Sequence, residues 1–138
     1  MTYRTLTLVL AVVASSLFTI VPLQAQDRFR AGQWKIVFTG ETPHTSTTCL
    51  SAAVTEGING TPAEVRAYAE KTAAARHFTM KDYSFDGTTL SMTLVSPERT
   101  FVNKASYHGD TYESLIITKT GGKEFTTRQE GRRLGDCP

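Results

Sequence analysis

The sequence predicts a mainly β domain of the α+β class. The expectation is a strongly curved antiparallel meander of about seven strands, open or closed part-way into a barrel, with one helix packed on it. Short runs rich in aromatic and β-branched residues recur along the chain, and one segment alone carries a full helix-start signal. The runs after that helix are joined by turns too short for a parallel crossover, so successive strands are antiparallel neighbours.

The chain opens with Arg4, an apolar run from Leu6 to Val21, and Pro22-Leu23-Gln24-Ala25. Charge, apolar core and a small residue at the cleavage point, in that order, read as a secretory signal peptide over residues 1–25. The run is shorter than the about 20 residues of a membrane span, which disfavours the alternative of a retained anchor. No cysteine near the cleavage point supports lipid attachment. Residues 26–138 are then a single β-rich domain, periplasmic or secreted, with no stable membrane insertion after cleavage. A formal net charge of +2 gives no electrostatic reason to expect nucleic acid. Arg132 and Arg133, the one dense basic spot, would lie on opposite faces of a strand as salt-bridge partners.

Gln26 to Gln33 is polar and reads as a loose lead-in. Trp34 to Thr39 and Thr45 to Leu50 read as strands, and Ser51 to Gly60 as an irregular stretch, with a short helical turn inside it as the alternative. Thr61-Pro62-Ala63-Glu64 is a capping box with proline at the first helical position. Val65, Tyr68, Ala69, Thr72 and Ala75 follow at helical spacing, which predicts a helix from Pro62 to Arg76. His77 to Phe85 alternates but loses phase after Met80, and a bulge near Lys81-Asp82 accounts for the slip. Asp86-Gly87 turns the chain into a strand from Thr88 to Ser96. Strands from Arg99 to Tyr107, Thr111 to Thr120 and Glu124 to Leu134 complete the meander, with turns at His108-Gly109-Asp110 and Gly121-Gly122-Lys123.

Cys49 and Cys137 reach an oxidising compartment on the export reading, and two cysteines there pair. They lack the Cys-x-x-Cys spacing of redox pairs, so the bond reads as structural. It would enclose 88 residues, worth ~4–5 kcal/mol in the chain-entropy model.

The Gly32-Gln33-Trp34 start, Cys49, the segment Tyr107-His108-Gly109-Asp110-Thr111-Tyr112 and the ending Gly131-Arg132-Arg133-Leu134-Gly135-Asp136-Cys137 resemble the proteobacterial domain-of-unknown-function family 3617. The resemblance covers the mature chain and implies a small exported β-rich domain, with no activity to carry over. Many members carry a second cysteine pair where this chain has His77 and, about, Val95. The resemblance therefore implies a region around the helix without that second cross-link.

No motif specifies catalysis, a cofactor or a metal. His44, His77 and His108 are far from metal-motif spacing. There is no Gly-x-Ser-x-Gly elbow, and Thr120-Gly121-Gly122-Lys123-Glu124 lacks the spacing of a phosphate loop. Asp86, Asp110 and Asp136 adjoin glycines in turns. Asn59-Gly60-Thr61 matches a glycosylation sequon and reads as a loop feeding the helix cap. Aromatic residues are many for a small domain, and most must be core. A curved aromatic-lined sheet also suits an apolar ligand, with Trp34, Tyr68, Phe78, Phe101 and Tyr112 as candidate pocket lining. The function expected is non-enzymatic binding of a small apolar molecule or another envelope protein. The alternative is a small envelope hydrolase with a polar site inside the sheet. The helix, whose apolar stripe is narrow and alanine-rich, is a candidate movable cover, with Tyr68 as its largest inward contact.

Overall fold

A computed structural model describes residues 27–138, so the signal-peptide reading of residues 1–25 lies outside the described residues. Strands β1 (Gly32–Thr39) and β2 (His44–Leu50) precede helices α1 (Ala52–Asn59) and α2 (Pro62–Ala75). Five strands follow: β3 (Thr79–Phe85), β4 (Thr89–Val95), β5 (Arg99–Tyr107), β6 (Thr111–Thr120) and β7 (Lys123–Gly135). All seven form one antiparallel sheet in the order β2-β1-β7-β6-β5-β4-β3. Among the described residues β2 and β3 each have a single strand neighbour, so the sheet does not close into a barrel.

Period-2 alternation assigns each strand an inner face. One row runs Ile36, Gly131, Tyr112, Tyr107 across β1, β7, β6 and β5. Its neighbours Trp34 and Leu90 are 0% and 3% exposed. A side chain at Gly131 would collide with the Tyr112 ring, so the absent Cβ is what lets that ring lie flat across β7. The opposite face carries Lys35, Arg132, Glu130 and Lys104 toward solvent, as expected of an antiparallel sheet with one covered face.

The capping box of α2 is complete. Glu64 N–H donates to Thr61 Oγ1 at 3.4 Å and Thr61 N–H donates to Glu64 Oε2 at 2.7 Å. At the other end, Phe78 N–H donates to Ala73 O and His77 N–H to Ala74 O at 2.9 and 3.0 Å. This is a Schellman closure with His77 in the left-handed region, φ 61°. The predicted bulge is present: the β3–β4 register shifts between Lys81 and Ser84, and Asp82 has φ 51°.

Two expectations are corrected. Ser51 to Gly60 is not irregular but contains α1, which buries Thr55 and Ile58. Ser51 makes no side-chain cap and Gly57 interrupts the helical pattern, so no start or propensity signal marks it. Gly57 is there because the Tyr68 ring of α2 occupies the space its Cβ would need. The lead-in is not loose either. Phe29 is 7% exposed, and its ring lies 5.1, 5.0 and 5.5 Å from those of Trp34, Tyr107 and Tyr112. Asn59 grips the Phe29 backbone from both sides, accepting from its N–H at 2.9 Å and donating to its carbonyl at 2.8 Å. Arg28 donates to the carbonyls of Ile58 and Gly60 at 2.5 and 3.0 Å, closing the C-terminus of α1. Asn59 thus serves a backbone pairing.

Candidate ligand cleft beneath the second helix

α2 is short of apolar bulk. Its buried positions are Val65, Ala69 and Ala73, and the two alanines offer the cleft only a methyl group each. The inner face opposite carries larger side chains: Leu90, Met92 and Leu94 on β4, Phe101 on β5 and Ile116 on β6. Small residues above and large ones below leave an open cleft of about 400 Å³. One end is walled by Phe29 and Tyr107. The other is walled by Phe78, which the Schellman turn places against Phe101 edge-to-face at 5.3 Å.

Three of the five residues expected as lining, Tyr68, Phe78 and Phe101, are on the cleft wall. Trp34 and Tyr112 are not. Their rings pack behind Phe29, 5.7 Å from each other, in the closed part of the core. The reason is Phe29, which inserts between them and the cleft once the lead-in is pinned to α1. Sequence reasoning passed over Asn103, Arg76 and Tyr107 as lining. Alternation in β5 puts Asn103 and Tyr107 on one face with Phe101, a signal present in the sequence.

The polar residues on the cleft wall are Tyr68, Thr72, Arg76, Asn103 and Tyr107. Ser114, 7% exposed, donates its hydroxyl to Asn103 Oδ1 at 3.0 Å. Burial pushes the Tyr107 hydroxyl up to about 12, with the neighbouring Tyr112 adding to the rise. Burial likewise raises Tyr112, whose hydroxyl donates to Gln129 Oε1 at 3.3 Å. Arg76 is the one charged residue on the wall. Among the described residues the cleft wall carries no histidine or carboxylate, and no cluster of His, Cys, Asp or Glu has the geometry of a metal site. His44 instead stacks on Phe38 at 4.2 Å. Arg133 donates to Ala31 O at 2.7 Å and pairs with Asp136, whereas Arg132 stands on the outer face of β7.

Cys49 and Cys137 form a disulfide with Cα atoms 5.6 Å apart. No described helix is long and apolar enough to cross a membrane. Comparison with family models, characterised proteins and solved structures returns no match for this chain.

Proposed function

We propose that this chain is an exported periplasmic domain that binds a small apolar molecule in the cleft between α2 and the inner face of the sheet, without transforming it. The observation that carries this reading is the mismatch between an alanine-lined helix and a sheet face bearing Leu90, Met92, Leu94 and Phe101, which leaves about 400 Å³ open. Ligand sites are concave, mainly apolar and of roughly 300–1,000 Å³. A wall without histidine or carboxylate supports binding over hydrolysis, which needs a positioned acid or base. The motifs that resemble those of family 3617 and the signal-like start support export.

Two measurements test this. Sequencing the protein secreted by an expressing bacterium should find Gln26 at its start; an intact Met1 in exported material would count against cleavage. Hydrogen exchange should find α2 less protected than the β4–β5 hairpin, and slowed when an alkyl ligand is added. Equal protection of helix and hairpin, with no response in a broad screen of apolar compounds, would remove the cleft reading and leave surface contact with another envelope protein in its place.

A further inference from the structure

The polar groups on the cleft wall define what else its ligand carries, an inference that rests on the cleft being the binding site. Arg76 ends α2 beside Phe78, at the Phe101 end of the cleft. Unlike Arg30, Arg66 and Arg133, it has no carboxylate partner among the described residues. It is the only charge on the wall and it is positive. Asn103 lies further in, opposite Met92 and Ile116 in the ladder. Because the buried Ser114 hydroxyl occupies its Oδ1, the amide has its N–H groups left to offer. Tyr107, at the far end, keeps its proton through the ordinary pH range and can also donate. A cation and a set of donors, with no carboxylate opposing them, select a ligand bearing acceptor oxygens and negative charge. Apart from the hydroxyl residues Tyr68 and Thr72, the remaining wall is apolar and selects an alkyl chain. At ~30 Å³ per methylene-sized group, about the share of a water molecule, the volume holds roughly a dozen carbons.

We propose that the cleft takes a single-chain anionic amphiphile, its head group at Arg76 and its alkyl chain running past Leu94, Met92 and Leu90 toward Tyr107. Fatty acids and monoalkyl phosphates share this chemistry, and the probes below separate them.

Protein produced from the full coding sequence is titrated calorimetrically with dodecanoate, dodecyl phosphate and dodecanol, each below its aggregation concentration. Arg76→Gln and Thr72→Phe are tested alongside, with circular dichroism confirming that each variant is folded. The expected result is binding of the anionic probes in preference to dodecanol. Arg76→Gln should weaken the anions by about tenfold, the usual size of one lost charge-assisted contact at a partly solvated site, and leave dodecanol unchanged. Thr72→Phe fills the cleft and should remove all binding. The tighter anion identifies the head group. Equal affinity for dodecanol and dodecanoate, with no effect of Arg76→Gln, overturns the amphiphile proposal while the apolar cleft survives. Failure of every probe to bind, or undiminished binding in a folded Thr72→Phe, overturns both.

Discussion

Gly131 and Tyr112 show how one missing Cβ shapes the core. The ring lies across the glycine, so Gly131→Ala must push it away from Ile36. Overpacking of this kind costs about 1–3 kcal/mol, and a lower urea midpoint at unchanged slope is the expected reading. Tyr107 gives a pH signature. Its hydroxyl ionises near 10 in an unfolded chain and at about 12 in the fold. Below pH 10 both states hold the proton and the stability contribution is fully present. As pH rises from 10 toward 12 the unfolded chain alone loses the proton, so stability falls, by about 1–3 kcal/mol. Denaturation followed across that window should show the fall, and Tyr107→Phe should reduce it. The raised values at Tyr83 and Tyr112 act in the same direction. The aromatic content of the core was legible in the sequence. The division of rings between closed core and cleft was not, because it depends on Phe29, which stands in a polar stretch and is fixed there by Asn59, thirty residues on, and by the bonds of its neighbour Arg28 to the carbonyls of Ile58 and Gly60.

The helices divide along the same line. α2 announces itself through Thr61, Pro62 and Glu64, which satisfy local backbone groups and need nothing from the rest of the chain. α1 has no such signals; it is held by tertiary contacts, Ile58 in the core and Gly57 under Tyr68. The strands were legible to within a few residues because alternation and turn dipeptides are also local. At Asp86, for example, the carboxylate accepts from Thr88 and Thr89 N–H, which holds it below its ordinary range. His77 closes α2 with a left-handed conformation that costs an L-residue roughly 1–2 kcal/mol. His77→Gly removes that strain but gives the unfolded chain more freedom, which offsets about 0.5–1 kcal/mol. The net expectation is a gain of about 0.5–1 kcal/mol, seen as a higher melting temperature. An unchanged or lower melting temperature would show that the imidazole makes up for its backbone.

The disulfide ties β2 to the tail that follows β7, across the start of β1, which lies between them. Its sequence separation of 88 residues implies ~4–5 kcal/mol of stabilisation through the unfolded chain. Reduction should lower the melting temperature clearly, and Cys49→Ala and Cys137→Ala should match each other, since either removes the same link. Unequal losses would mean that one thiol has a separate packing role. The pairing was legible because two cysteines allow a single partner. The strand order was not, because hairpins specify neighbours in sequence, and nothing local states that the first strand will meet the last. That meeting has a consequence in time. β3 to β6 can zip together as successive hairpins before β7 has formed, but the β1–β2 hairpin has no strand to join until β7 arrives. Until then Trp34 and Ile36 face water, and Cys49 waits for a partner that lies beyond β7. Slow pairing of distant segments sets the pace of such a topology, so oxidation marks its completion. A chain halted before β7 would display an unsheltered apolar hairpin, the kind of surface that chaperones hold and proteases find first.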